Sequence, residues 1–363
     1  MRLLVSAGEP SGDQRAAEVL AELGLMTGVE AFGLGGGKLA ETGMDVTMHM
    51  SGYAVMGFTE ILASIPRFLA LEAEMTAMAV ERKADAALLV DYPGFNMRLG
   101  RRLRKAGIPV IQYVAPQMWA WGSWRTGKLR KSCDLLLTLF PFEVEFFRRR
   151  GINAVFTGHP LKGRISGNHT TGELLGLLPG SRAQEVRHLL GPMVEAYTIL
   201  RERGMVPGGI LGVSDHLPPE TYSIAEGIPG LVMKQGSREV LQQSRAALVC
   251  SGTATLETAL HGVPFVVCYR TGTLTYALAR LLVRGVKRIG MASIVAGTEV
   301  APELIQGRVT PDRMAEKASS LLVSGREREE AVKKLSLVRE ALGEGNPAAK
   351  AATEILRFTG EAQ

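Results

Sequence analysis

Hydrophobic positions along this chain fall into two alternating regimes. Short, nearly unbroken apolar runs stand at 2–7, 86–90, 109–114, 135–139 and 174–178, with less pure ones at 29–34, 154–156, 208–213, 230–234, 246–250 and 264–269. Runs of this length predict strands covered on both faces, as in a parallel sheet. Helical patterning fills 13–25, 67–82, 97–106, 142–150, 183–202 and 253–261, the charged stretch 311–343 and a last segment at 346–357. Strands alternating with helices predict an α/β fold with mostly parallel sheets.

The series is interrupted at 163–173, a polar, Gly-rich stretch that reads as a linker. A chain of 363 residues has room for two domains, one on each side of it. Two such domains form a cleft, with ligands expected at the carboxyl ends of the strands. The segment after 343 is expected to pack back on the first domain.

Composition narrows the class. Hydrophobic residues make up 46% and charged residues 21%, which is too apolar for a disordered chain. The 42 glycines follow no three-residue period, so a collagen-like chain is excluded. Cys133, Cys250 and Cys268 match no disulfide, zinc or redox spacing, which fits a reducing compartment. The N-terminal residues lack the pattern of a signal peptide. No uninterrupted apolar run reaches the about 18 residues of a membrane span.

The net charge of +6 conceals a bias. Residues 98–164 carry 14 basic and 3 acidic side chains, so the rest of the chain is slightly acidic. The same window holds all three tryptophans, Trp119, Trp121 and Trp124, beside Arg125, Lys128, Arg130 and Lys131. Tryptophan among basic residues suits a membrane interface. It also suits stacking on nucleic-acid bases. Core tryptophans under solvated helix faces would give the same composition.

Candidate chemistry sits at predicted strand ends. Gly8-Glu9-Pro10-Ser11-Gly12-Asp13 follows the first strand and opens a helix, whose free N–H groups suit an anion. It is neither a dinucleotide fingerprint nor a Walker A loop. An ordinary turn capped by Ser11 or Asp13 fits equally. Asp91 ends an apolar strand, where a carboxylate is placed to take a proton from a sugar hydroxyl. A turn or capping role is the alternative, for Asp91 and for Asn96 nearby. Arg182, just past Pro179-Gly180-Ser181, can grip a phosphate. Ser251, Gly252 and Thr253 form a possible nest of N–H groups and hydroxyls for phosphate. Glu257, one helical turn on, can accept hydrogen bonds from ribose hydroxyls. Paired structural turns are the competing reading. His49 and His159 have no partners at metal-ligand spacing, so no metal site is expected.

Several blocks taken in order carry a resemblance. They are Gly8–Asp13, Val55-Met56-Gly57, Asp91-Tyr92-Pro93-Gly94-Phe95-Asn96, Tyr113–Gln117 with Trp119-Ala120-Trp121, Phe140-Pro141-Phe142-Glu143, Gly158-His159-Pro160, Leu178–Arg182 with Glu185, Ser251–Glu257, and Pro302–Gln306. Through them the sequence resembles the lipid-A-disaccharide synthases, inverting glycosyltransferases of lipid A biosynthesis.

The resemblance implies a GT-B-type α/β fold of two Rossmann-like domains. An acceptor- and membrane-facing domain would span 1–165, a UDP-sugar-binding domain 166–343 and a C-terminal helix 344–363. The implied donor is UDP-2,3-diacylglucosamine and the implied acceptor 2,3-diacylglucosamine 1-phosphate. The products would be the β-1,6-linked disaccharide 1-phosphate and UDP. No cofactor or metal is implied. Asp91 would be the general base and Arg182 a catalytic contact to the donor phosphates. Ser251, Gly252 and Thr253 would line the diphosphate and Glu257 the ribose. Gly12 and Asp13 would border the acceptor. The implied location is cytoplasmic, on the inner face of the inner membrane of a Gram-negative-type bacterium. Contact with an anionic membrane surface and a dimer exchanging C-terminal segments are also implied, and nucleic acid is not.

Three departures from the family pattern stand out. Gly94 replaces a second aspartate, Ser293 stands where asparagine is usual, and Gly122, Ser123 and Trp124 intervene before Arg125. The alternative functions on such a fold are another UDP-sugar glycosyltransferase, a UDP-N-acetylglucosamine 2-epimerase, or a non-catalytic membrane scaffold.

Overall fold

A computed structural model describes residues 1–53, 65–165, 172–272, 276 and 288–360. The Val55-Met56-Gly57 block and residues 166–171 of the expected linker lie outside the described residues. The chain divides into two compact units, Met1–Pro160 with Gly343–Gln363, and Leu161–Leu342.

The first unit is built on strands β1 (Arg2–Ala7), β2 (Glu30–Gly35), β3 (Asp45–His49), β4 (Ala86–Val90), β5 (Val110–Tyr113), β6 (Leu135–Thr138) and β7 (Ala154–Phe156). They pair in the order β3-β2-β1-β4-β5-β6-β7, all parallel. The helices between them are α1 (Pro10–Met26), α2 (Gly37–Glu41), α3 (Ile65–Glu81), α4 (Pro93–Lys105), α5 (Thr126–Arg130) and α6 (Pro141–Arg148). Leu4, Ala87 and Leu89 face a layer in which α3 to α6 supply Leu71, Met75, Leu99, Leu103, Leu129 and Phe147. A parallel sheet must be covered on both faces, and this explains why β1 and β4 read as continuous apolar runs.

The second unit repeats the plan. After α7 (Pro160–Arg164) come β8 (Leu174–Leu178), α8 (Ala183–Glu202), β9 (Gly209–Val213), β10 (Leu231–Gln235), α9 (Arg238–Gln243), β11 (Ser244–Cys250), α10 (Thr253–Leu260), β12 (Phe265–Tyr269), α11 (Met291–Val295), β13 (Glu303–Ile305), α12 (Pro311–Leu322) and α13 (Arg326–Ala341). The strand order is β10-β9-β8-β11-β12-β13, again parallel throughout. Its core joins Leu175, Leu177 and Leu248 to Leu189, Met193 and Tyr197 of α8 and Met314 and Ala318 of α12.

The last helix, α14 (Pro347–Thr359), packs on α1, as expected of a segment returning to the first domain. Asn346 caps it by accepting from Ala348 N and Ala349 N, and its own amide donates to Glu22 of α1. Ala351, Ala352 and Ile355 form the fully buried face.

Some boundaries differ from the sequence pattern for identifiable reasons. α1 and α4 begin at Pro10 and Pro93 rather than at 13 and 97. Proline at the first helical position has a pre-set φ and needs no N–H partner. β3 and β13 escaped the pattern because the first alternates polar and apolar at a sheet edge and the second has only three residues. The charged stretch 311–343 is two helices, separated at Ser324 and Gly325.

Candidate active site

Each sheet has one topological switch point, where successive connections leave in opposite directions: between β1 and β4 in the first, between β8 and β11 in the second. Crevices beyond the carboxyl ends of such strands are where open α/β sheets bind ligands. The sequence motifs occupy all four strand ends. Gly8–Asp13 follows β1, Asp91 follows β4, Pro179–Arg182 follows β8 and Ser251–Thr253 follows β11.

At the first switch point, Arg15 of α1 reaches Asp91, Nη1 to Oδ2, at 3.2 Å. The other carboxylate oxygen, Oδ1, accepts the Tyr92 N–H at 3.1 Å. Glu9 shares this neighbourhood. Partial burial pushes its carboxyl above the usual range, the Asp91 charge adds to this, and Arg15 opposes it. Gly12 is buried, and a Cβ there would lie 3.4 Å from Val90 O and 3.8 Å from Asp91 Cβ. α1 thus lies in ordinary contact with the end of β4 at this position. Asp13 is engaged elsewhere: Oδ1 accepts from Gly36 N at 2.7 Å and Oδ2 from Lys38 N at 2.9 Å. Asp13 therefore caps α2, whose first N–H groups have no intrahelical partner.

Backbone strain collects here. Among the described residues, the non-glycine positions with left-handed φ are Lys83, Asp91, Tyr92, Val114 and Gln306. Asp91, Tyr92 and Val114 stand at the ends of the adjacent strands β4 and β5, and Gln306 follows β13. Such conformations persist only where surrounding contacts determine them, and they concentrate at functional sites. Tyr92 lies across the position a Gly8 side chain would fill. It also joins a ring cluster with Phe68 and Phe95, at centroid distances of 6.5 and 5.8 Å.

Asn96 is not a cap. It lies one turn inside α4, fully buried, and returns its side chain to the ends of β1 and β4. Gly94 is exposed at the start of α4, with nothing within 4 Å of where a Cβ would be, so a side chain at this position would start in open space.

At the second switch point the two turns differ. Glu185 Oε2 accepts the backbone N–H groups of Ser181 and Arg182, at 3.2 and 3.3 Å, so that cradle is filled by the chain's own carboxylate. Arg182 Nη1 bonds Glu185 Oε1 at 3.0 Å, yet its side chain is 82% exposed. An ion pair this exposed is weak, so the guanidinium is free to exchange partners. The Ser251–Thr253 turn is open instead at Gly252 and Thr253, while the Ser251 N–H donates to Cys268 O at 3.2 Å. Gly252 has φ 141°, and no side chain caps the start of α10. Uncapped N–H groups at a helix start bind anions. Ser251 Oγ donates to Ile289 O at 3.0 Å, which fixes its hydroxyl. Glu257 Oε2 accepts a hydrogen bond from Ser237 Oγ at 2.6 Å. Ser293 is buried and its Oγ accepts from Val300 N, so it serves the internal fold of its loop.

Beyond the switch point in the first sheet, Glu143 of α6 is buried and accepts from Trp119 Nε1 at 3.1 Å and Phe140 N at 3.2 Å. Burial pushes its carboxyl up to about 8, and the hydrogen bonds oppose the shift. Trp119 is thereby tethered, while Trp121 and Trp124 are 53% and 77% exposed. Arg125 stacks over Trp121 at 5.5 Å and Lys128 over Trp124 at 5.9 Å.

The basic window lies in the α4–α6 layer. Buried Glu72 of α3 pairs with Arg98 at 2.8 Å and Arg102 at 3.3 Å, and Arg104 pairs with Asp134 at 2.8 Å. The Arg98 contact lies off the hydrogen-bonding axis, so it is electrostatic only. Arg101, Lys105, Arg130 and Lys131 remain on the surface.

Sequence reasoning missed Glu9, Arg15 and Ser237. Glu9 stands inside a motif it did single out. Arg15 and Ser237 show no signal until the fold brings their partners to them.

Comparison with known proteins bears on the family and the fold. A family model for lipid-A-disaccharide synthetase matches residues 3–355. A lipid-A-disaccharide synthase of Myxococcus xanthus (strain DK1622) is 36% identical over 98% of this chain and 97% of its own. One from Anaeromyxobacter sp. (strain K) is 38% identical over the same shares. In fold, the chain is similar to Acinetobacter baumannii MurG, with a TM-score of 0.62, 13% identity and 99% coverage of both chains. It is also similar to a Methanocaldococcus jannaschii UDP-GlcNAc 2-epimerase solved with UDP-GlcNAc and UDP, with a TM-score of 0.60, 11% identity and coverage of 99% and 100%. Matched along nearly its whole length by family and relatives alike, and carrying the two-sheet GT-B architecture, the chain belongs to the lipid-A-disaccharide synthase family of glycosyltransferases.

Proposed function

We propose that the chain transfers a 2,3-diacylglucosamine unit from UDP to the 6-hydroxyl of 2,3-diacylglucosamine 1-phosphate, with inversion. The observation that carries the assignment of roles is the placement of chemistry-bearing turns at both switch points. The second unit holds the donor. Its diphosphate sits on the open N–H groups of Gly252 and Thr253, with Ser251 lining the turn, Arg182 turned from Glu185 to the phosphates and Glu257 at the ribose hydroxyls. The first unit holds the acceptor beside Gly12 and Asp91, with Asp13 contributing through the loop it ties down.

Asp91 takes the proton of the 6-hydroxyl as that oxygen bonds to the anomeric carbon. The bond from that carbon to the diphosphate breaks, and its electron pair leaves with UDP. Charge grows on the diphosphate during this step, so the N–H groups fixed at 252–253, joined by Arg182 once it has turned, stabilise the transition state more than the ground state. Arg15 orients the base. The rings of Phe68 and Tyr92, the latter next to Asp91 in the chain, give acyl chains an apolar surface.

Attachment is peripheral, on an anionic surface at the cytoplasmic face of the inner membrane. Among the described residues no helix is long and apolar enough to cross a membrane. Exposed Trp121 and Trp124, each beside a cation, suit the headgroup level. In a dimer, α14 would exchange between α1 helices across the hinge at Gly343 and Gly345, both of left-handed φ.

The test is incubation with both diacyl substrates and mass analysis. The tetraacyl disaccharide 1-phosphate and UDP should appear in equal amounts. UDP release without the disaccharide, or epimerised sugar from UDP-N-acetylglucosamine alone, would remove the assignment.

A further inference from the structure

We infer that Asn96 is a positioning residue for Asp91: its buried side-chain amide, braced by Ser6, holds the Asp91 peptide in the left-handed turn that projects the carboxylate from the end of β4. The inference rests on the reading of Asp91 as the base.

Asp91 and Tyr92 have φ values of 52° and 47°. Two consecutive side-chain-bearing residues in this region are disfavoured, and glycine, which would relieve the strain, is absent. Something must hold the turn. The Asp91 N–H still donates to Tyr113 O at 2.9 Å, so the ladder continues up to that atom. The Asp91 carbonyl is taken by side chains instead. It accepts from Asn96 Nδ2 at 2.8 Å and from Gln112 Nε2 at 3.3 Å. Both amides are buried, Asn96 at 0% exposure and Gln112 at 2%.

The environment of Asn96 permits one orientation. Its NH2 group faces three carbonyl oxygens, those of Asp91, of Val90 at 3.2 Å and of Ser6 at 3.5 Å. Its Oδ1 accepts from Ser6 Oγ at 2.8 Å. An acceptor-only group of the same shape would set oxygen against oxygen, and an apolar one would leave the Asp91 carbonyl half satisfied. Core packing alone requires neither the amide nor the serine. A carbonyl turned out of the ladder, directly behind the base, requires both.

The test compares D91N, N96A, S6A and the doubles D91N/N96A and D91N/S6A in the full chain, with kcat, KM for both substrates and UDP affinity. N96A should lower kcat by about 10- to 100-fold, the scale of a misplaced general base. UDP affinity and donor KM should stay within about twofold, since the donor turns lie in the other unit. In the D91N background N96A should cost little more, because it acts through a group already removed. S6A leaves the amide in place and should follow the same pattern at about 3- to 10-fold, so it carries the test if N96A does not fold. Normal kcat in the folded variants, or an equal loss with and without Asp91, overturns the inference while an inactive D91N preserves the base. A D91N enzyme with normal turnover removes the base, and the inference with it.

Discussion

Arg15 Nη1 stands 3.2 Å from Asp91 Oδ2, joining the first helix of the chain to the end of its fourth strand. The two are partly exposed, at 24% and 28%. The pair therefore aims the carboxylate more than it stabilises the fold. Arg15→Ala should reduce turnover by about 10-fold, as expected when a reacting group loses its orientation. Thermal midpoint should change little, and steady-state kinetics beside a melting curve separates the two effects.

The donor turns predict a split between binding and catalysis. Ser237→Ala leaves Glu257 without its 2.6 Å donor. It should raise donor KM by about 3- to 10-fold, the net worth of one ordinary hydrogen bond, with kcat nearly unchanged. Arg182→Ala should lower kcat by about 100- to 1,000-fold, the cost of losing a donor to developing charge. Initial rates at saturating and limiting donor distinguish the two patterns.

Glu143 makes stability depend on pH. Its folded carboxyl titrates at about 8, against an ordinary value of 4.5. Between these values the folded chain keeps a proton that the unfolded chain has released. Stability from this group is therefore full below about pH 4.5 and is lost as pH rises toward 8, at up to about 1.4 kcal/mol per pH unit. In Glu143→Gln that slope should vanish from denaturant midpoints measured across the range. Tryptophan fluorescence should also change, since the variant disturbs the bond to Trp119.

The exposed tryptophans predict where a lipid surface is met. Trp121→Ala with Trp124→Ala should weaken sedimentation with anionic vesicles by about 10-fold or more, as two interfacial anchors are lost. Turnover on detergent-dispersed substrates should stay within about twofold, because neither ring lies at the switch point. Unchanged vesicle binding would move the membrane contact elsewhere.

Much of the candidate site is legible in the sequence because its parts are local. A strand, a glycine turn and a helix start are contiguous, so Asp91, Arg182 and Ser251–Thr253 announce themselves. What supports them is not contiguous. Arg15 meets Asp91 across 76 positions, Ser6 meets Asn96 across 90, and Ser237 meets Glu257 across 20. No periodicity encodes such pairings. Asp13 shows the opposite limit: the family resemblance implies a place beside the acceptor, while its carboxylate closes the start of α2. The late reading of the starts of α1 and α4 has a local cause. Pro-Ser-Gly and Pro-Gly look like turns until the proline is counted as the first helical residue.

The return of α14 to α1 sets an order of events during synthesis. The first unit cannot be completed until the 182 residues of Leu161–Leu342 have been made. At about 5–20 residues per second, the strands and helices up to Pro160 wait roughly 10–40 s with the α14-facing side of α1 open. The second unit, continuous in sequence, folds meanwhile without competition. On a crowded message, that interval is when the last helix of a neighbouring chain can arrive first, so the exchanged dimer proposed above should form in proportion to ribosome density.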